Sequence, residues 1–196
     1  LLFPRRFYEI NAKGEVVHYS PYNGQVLPGY LYTDTGYWDT FRALMPLINL
    51  VYPDEAGPMA EGQMNAYRES GFLPEWASPG HRDCMVGNNS ASVLADAFLK
   101  GLGRLEGREV VAALLHGANA EHPTISSTGR KGYQYYNRLG YIPSDVGIKE
   151  HAARSLEYAY ADWCIAEVLR RTGAPKKLEA LYRARSQNYR KLYNPA

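Results

Sequence analysis

Hydrophobic positions change their period along the chain, and the change divides it in two. Phe7-Tyr-Glu-Ile10 and Glu15-Val-Val-His-Tyr19 flank Asn11-Ala-Lys-Gly14. Two short β-rich runs across a glycine-containing turn predict a hairpin over residues 7–19. Pro21, Gly24, Pro28 and Gly29 then mark a long loop. From Trp38 onward the spacing is helical. A first helix is predicted over about Trp38 to Leu50, kinked at Pro46. A second covers about Asp54 to Ser70, and Gly71 stops it. Asn89-Ser90 suit the start of a third, which carries Val93, Leu94, Ala97 and Phe98. Val110, Val111, Leu114 and Leu115 stripe a fourth from about Glu106 to Ala118. Residues 120–147 read as loop with a short helical piece near Gly132–Arg138. Ile148, Ala152, Leu156, Ala159, Trp163, Ala166 and Leu169 recur every three or four residues and predict the fifth helix. Gly173 ends it. Pro175 opens a sixth in the favoured first position, with Leu178, Leu181, Tyr182, Arg185, Tyr189 and Leu192 on one side.

The fold class is therefore mainly α: helices in antiparallel-looking pairs behind a small β element. Strand and helix do not alternate, so a parallel sheet is not expected. Six helices suit either a bundle or half of a twelve-helix α/α toroid. The division expected is residues 1–30 as hairpin and lead-in loop, and 31–196 as the helical part. The chain opens at Leu1 and stops at Tyr193-Asn-Pro-Ala196, just past a helical pattern. Both ends are read as cut from a longer protein.

Composition narrows the function. Net charge is +2 over 196 residues, and the densest basic pairs, Arg170-Arg171 and Lys176-Lys177, flank a helix break. That is a solvated helix end, not the concentrated basic face that nucleic acid requires. No run approaches ~18 apolar residues, so no membrane span is expected, and no signal-peptide pattern is present. Cys84 and Cys164 make no disulfide framework. His81-x-x-Cys84 is half a zinc motif without a second half. The 17 Tyr stand against 5 Phe. Tyr is apolar on its face and polar at its tip, which suits a carbohydrate groove or a Tyr-rich way of packing.

Two segments concentrate chemistry. Tyr32-Thr-Asp-Thr-Gly-Tyr-Trp-Asp-Thr-Phe-Arg42 and Phe72-Leu-Pro-Glu-Trp-Ala-Ser-Pro-Gly-His-Arg82 each place a carboxylate, a Trp and an Arg on a loop shaped by Gly or Pro. An indole stacks on the C–H face of a pyranose, carboxylates accept from its hydroxyls, and a guanidinium donates to them. Trp38 and Arg42 share a helix face, while Asp39 points about 100° away. Packing offers its own account, in which Asp39 favours the helix dipole and Arg42 lies over the indole. Pro74 and Pro79 stiffen the loop that presents Glu75, Trp76, His81 and Arg82. Asn88 and Asn89 suit ligand hydroxyls or a helix cap. Glycoside hydrolysis needs two carboxyl groups across the scissile bond, and on spacing alone Asp39 and Glu75 are the candidates.

Thr33-Asp-Thr-Gly-Tyr-Trp-Asp-Thr-Phe-Arg42, Gly71-Phe-Leu-Pro-Glu-Trp-Ala-Ser-Pro-Gly-His-Arg82 and Cys84-Met-Val-Gly-Asn-Asn-Ser-Ala-Ser92 closely resemble glycoside hydrolase family 92. So do Leu2-Phe-Pro-Arg5, Pro28-Gly-Tyr30 and Leu156-Glu-Tyr-Ala-Tyr-Ala-Asp-Trp-Cys-Ile165. The resemblance implies a calcium-dependent, exo-acting, inverting α-mannosidase of mannose-containing glycans such as high-mannose N-glycans and mannan. It implies a β-sandwich domain before Leu1 and an (α/α)6-type toroid of which this chain holds about half. It also implies a secreted or periplasmic parent. The family's acid lies in a Gly-Asn-Glu-Pro motif and its base in a Gly-Asn-Asp-Asp-type motif, and neither occurs here. Acid and base are therefore expected beyond Ala196, and this piece alone is expected to be inactive. Asp39 and Glu75 become, under the resemblance, sugar-binding carboxylates beside Trp38, Arg42, Trp76, His81, Arg82 and Asn88. The calcium ligands stay unassigned. Two other readings stay open: another toroid glycosidase, and a helical domain that binds glycans without cleaving them.

Overall fold

The computed structural model describes residues 4–193. The chain is mainly helical, at 51%. β1 (Arg5–Arg6) is followed by an antiparallel meander of β2 (Glu9–Ile10), β3 (Val16–Tyr19) and β4 (Val26–Pro28). The hairpin lies where its pattern predicted, but residues 26–28, read as loop, add a third strand. A tight turn makes this geometrically easy: Ser20 N–H donates to Gln25 O, Gly24 N–H donates to Ser20 O, and Gly24 takes a positive φ of 74°. β5 (Tyr32–Thr33) returns to pair with β1, so Arg5 faces Thr33. β6 (Thr35–Gly36) follows directly.

The predicted first helix is two. α1 (Tyr37–Thr40) is a single turn, and α2 (Leu44–Val51) starts afresh after Ala43 at φ −146°, ψ −48°. Pro46 does not kink a long helix. It is the third residue of α2, where its missing N–H would have had no helical partner. α3 (Pro53–Ser70) ends at Gly71, in the left-handed region at φ 82°. β7 (Trp76–Ala77) precedes α4 (Ser90–Leu99) and α5 (Gly107–Asn119). α6 (Tyr133–Leu139) is the short piece expected in the long loop. α7 (His151–Arg171), α8 (Lys176–Arg185) and a 3-10 turn (Asn188–Leu192) complete the described residues. Pro175 stands one position earlier than expected, as the extended residue before α8.

α7 is the centre of the molecule, packing against α4, α5, α8 and the 3-10 turn. Its main core joins Met64, Leu94, Val110, Leu114, Ile165, Val168, Leu169 and Tyr182. Half of the predicted α7 stripe lies elsewhere: Leu156 is 48% exposed and Trp163 46%, while Tyr158, Ala161, Asp162 and Ile165 are buried. A helix covered on several sides has no single apolar face to read. Polar side chains carry part of its burial. Tyr136 donates to Asp162, Tyr158 to Lys131 O, and Tyr182 accepts from Asn119. At least these three tyrosines are packing groups with satisfied hydroxyls.

Candidate functional site

The two tryptophan-bearing segments are stitched together backbone to backbone. β6 pairs antiparallel with β7, so Gly36 faces Trp76 and Thr35 faces Ala77. Tyr37 N–H donates to Glu75 O at 3.0 Å. The residue opposite Trp76 has to be glycine. A Cβ on Gly36 would lie 2.2 Å from the Trp76 ring and 2.8 Å from Asp39 Oδ2. The indole and the Asp39 carboxylate thus close around the same point. Asp34, at φ 55°, braces the junction from below in a backbone region that costs a non-glycine residue energy. It accepts from Ser78 Oγ at 3.1 Å and from Arg5 at 3.3 Å.

Of the eight candidate residues, Asp39, Arg42 and Arg82 are exposed, and Trp38, Trp76 and His81 are half-buried. Arg42 stacks over the Trp38 ring at 4.8 Å and donates to Glu157 on α7 at 3.0 Å. Its guanidinium is therefore held over the indole, as the packing account requires. Arg82 Nε donates to Ser78 O at 2.7 Å, and its N–H donates to Trp76 O at 3.0 Å. His81 is pushed down to about 4 by burial and by neighbouring His122, so its imidazole is neutral at pH 7.

Glu75 and Asn88 are buried, Glu75 to 4% exposure. Both Glu75 oxygens are taken by the chain. They accept from Asn88 Nδ2 at 2.9 Å, from Asn89 N–H at 2.8 Å, from Ser90 N–H at 3.1 Å and from Ser90 Oγ. This carboxylate caps α4. Asn89 stands at the N-cap position, but its side chain donates to Val86 O instead. A carboxylate at a helix N-terminus satisfies orphan N–H groups and suits the dipole. Burial still pushes Glu75 up to about 7, against the pull of those donors.

Behind Glu75 runs a buried chain that sequence reasoning missed. Asn88 Oδ1 accepts from Arg130 Nε at 3.0 Å, and Arg130 Nη1 donates to Asp162 Oδ1 at 2.6 Å. Asp162 Oδ2 accepts from Tyr136 at 3.1 Å and from Arg185 Nε at 3.2 Å. Its one sequence signal was a carboxylate beside Ala161 on the face that also carries Tyr158 and Ile165. The network ties the floor of the junction to α7 and α8. Cys84 and Cys164 are both free. No helix among the described residues is long and apolar enough to cross a membrane.

A mainly helical scaffold thus brings an indole, that of Trp76, and a carboxylate, that of Asp39, together beside Gly36 at one short β junction. Comparison with known proteins makes this specific. The chain belongs to glycosyl hydrolase family 92, whose catalytic-domain description matches residues 1–196. It is similar to an inverting family GH92 mannosidase from Bacteroides thetaiotaomicron, with 50% identity and a TM-score of 0.96. That match covers 100% of this chain and 26% of the other. A family GH92 α-mannosidase from the same organism, solved in complex with mannoimidazole, matches with 26% identity and a TM-score of 0.82. There, 99% of this chain and 24% of the other are covered. A second structure of that α-mannosidase gives 26% identity and a TM-score of 0.81, over 99% and 25%. The chain thus spans about a quarter of the length of these relatives. Among curated proteins nothing matches it.

Proposed function

We propose that this chain is part of the catalytic domain of an enzyme that removes terminal α-linked mannose from glycans with inversion, and that it supplies the wall of the mannose-binding site. The observation that carries the reading is the β6–β7 junction, where Trp76 and Asp39 converge on Gly36. There an indole offers its face to the sugar ring's C–H groups and a carboxylate accepts from its hydroxyls. Trp38, Asp39, Trp76 and Arg82 are the groups within reach of a sugar. Glu75 and Asn88 act through them, by fixing the loop that bears Trp76. His81 borders a neighbouring cleft.

Inversion uses a water activated by one carboxylate while another protonates the leaving oxygen. The Gly-Asn-Glu-Pro and Gly-Asn-Asp-Asp strings that the resemblance ties to these roles are absent from the chain. Its own residues bind and orient the sugar. Residues 1–30 serve as lead-in, and 31–196 as about half of an α/α toroid that the rest of the catalytic domain completes beside a β-sandwich. A secreted or periplasmic setting follows from the glycan substrate. Calcium is implied by the family, but among the described residues no group of three or more His, Cys, Asp or Glu side chains is placed to hold a metal. No calcium ligand is assigned among these residues, and no step at this surface is routed through the ion.

The test is kinetic. The purified 196-residue chain should release no mannose from α-1,2-mannobiose, whereas the whole enzyme should. Asp39→Ala in the whole enzyme should cut kcat/KM by roughly 100- to 1,000-fold, the loss typical of one contact that strengthens in the transition state. A near-normal rate would remove Asp39 from the site.

A further inference from the structure

Two helices that reach the surface of this chain lack the polar face a surface helix carries. On α2 the exposed residues are Leu47, Leu50 and Val51, the first two at 54% and 75%. On α7 every exposed position from His151 to Leu169 is apolar: Ala152, Ala153, Leu156, Tyr160 and Trp163. At 100° per residue these five fall within an arc of about 100°, and they run for about 17 Å, or three turns. That is the stripe by which a helix is buried against a neighbour. Ala152, Leu156 and Trp163 also belong to the repeat that predicted α7, yet α4, α5 and α8 pack on its other sides. Among the described residues nothing is packed over this stripe.

A groove of about 180 Å³ separates the two helices. Phe41, Met45, Tyr160 and Trp163 flank it, and Val93 and Leu99 of α4 form its floor. An apolar cavity of about 150 Å³ holds one benzene, so this groove has room for one large apolar side chain. Its walls are stiff: the Tyr160 and Trp163 rings stack at 6.4 Å, and Phe41 lies 5.6 Å from Tyr160. Its polar side chains are spent within the chain. Ser92 Oγ donates to Asn89 O at 2.8 Å, and Asp96 Oδ2 accepts from Asn49 and Lys100, each at 2.7 Å. Sugar hydroxyls need free donors and acceptors, so a glycan is poorly served here, whereas an apolar side chain is well served.

We propose that stripe and groove form a seam inside the parent enzyme, covered by a helix from the remaining catalytic domain of the same polypeptide. Exposed apolar patches of this kind mark interaction surfaces. Ala152, Leu156, Tyr160 and Trp163 follow one another at four, four and three residues, the ridge that packs into the groove of a second helix. The matched relatives supply the length of chain required, since this chain covers 26% and 24% of theirs. The seam reaches the mannose wall as well: Arg42, next to Phe41, is bonded to Glu157 between Leu156 and Tyr160. Covering it would brace the turn that carries Trp38. The inference rests on reading the chain as part of a larger catalytic domain, and is independent of the sugar that domain cleaves.

The experiment is hydroxyl-radical footprinting of the unaltered whole enzyme, read residue by residue by mass spectrometry. Leu156, Tyr160 and Trp163 should be oxidised about tenfold more slowly than in the urea-unfolded enzyme, as for side chains reached only by local opening. Protection of about twofold, which their half exposure in this chain already gives, overturns the seam. The occupant is then identified by placing p-benzoylphenylalanine at position 47 or 156 of the whole enzyme and irradiating it. Either position should join to a peptide of the same molecule, within the catalytic domain and outside these 196 residues. Cross-links to the β-sandwich domain or to a second molecule overturn the proposal, and so does protection that appears only when mannan is added. Should neither substituted enzyme fold, the footprint of the unaltered enzyme still decides whether the stripe is covered. An enzyme protected and cross-linked as expected that releases no mannose upholds the seam and refutes the mannosidase reading. Mannose release with a freely oxidised stripe refutes the seam alone.

Discussion

Glu75 and His81 stand six positions apart, and their titrations should oppose each other almost completely. The folded chain holds Glu75 at about 7, against 4.5 for the free side chain. Between those values the native state keeps a proton that the unfolded chain has lost. Stability then falls as pH rises, by up to about 1.4 kcal/mol per pH unit and about 3 kcal/mol in all. His81 behaves the other way. Its folded value is about 4, against 6.5 for the free side chain. Here the unfolded chain binds the extra proton, so stability rises with pH across that window. Its amplitude is somewhat below about 3 kcal/mol, because the ring keeps some contact with water. The windows overlap from pH 4.5 to 6.5, where the wild-type contributions nearly cancel. His81→Gln exposes the Glu75 slope: relative to wild type, the variant should lose about 2 kcal/mol between pH 4.5 and 6.5. Urea unfolding followed by tryptophan fluorescence at three pH values in that range reads this directly. Asp83, Glu109 and Glu167, all held below their ordinary values, lose their contributions at lower pH. His122, shifted in the same direction as His81, is common to both proteins and drops out of the comparison. A variant whose pH dependence matches wild type would refute the reasoning.

Gly36→Ala meets no backbone penalty at φ −104°, so its effect is purely steric. It should cost about 1–3 kcal/mol and shift Trp76 emission as the indole is driven off Gly36; unchanged emission and stability would contradict the close approach. Asp162→Asn leaves Arg130 buried without its counter-charge and should cost about 3–5 kcal/mol in urea unfolding. A loss below about 1 kcal/mol would show that the Arg130–Asp162–Arg185 chain does not hold the helices together.

The local content of the sequence was largely legible. Gly71 stops α3 as its position implied, because a left-handed φ of 82° is open to glycine at no steric cost. The hairpin, α3, α4, α5 and α8 announced themselves through turn residues and apolar spacing, which depend on neighbours close in the chain. α7 was found but its buried face was misplaced, because which side of a central helix is covered depends on α4, α5 and α8 rather than on its own periodicity. The same limit governs the site. The residue types gathered around Trp38 and Trp76 were readable, as was the family likeness they carry. Their pairing through β6 and β7 was not, since no local rule joins residues 36 and 76.

Sequence alone thus determined a mainly helical chain, its turn points and the chemical character of two loops, all matters of backbone preference over a few residues. Only the tertiary structure decided that Glu75 is sealed in as the cap of α4 while Asp39 faces water. Both are carboxylates beside a tryptophan in a loop, and what separates them is the desolvation imposed by segments distant in sequence.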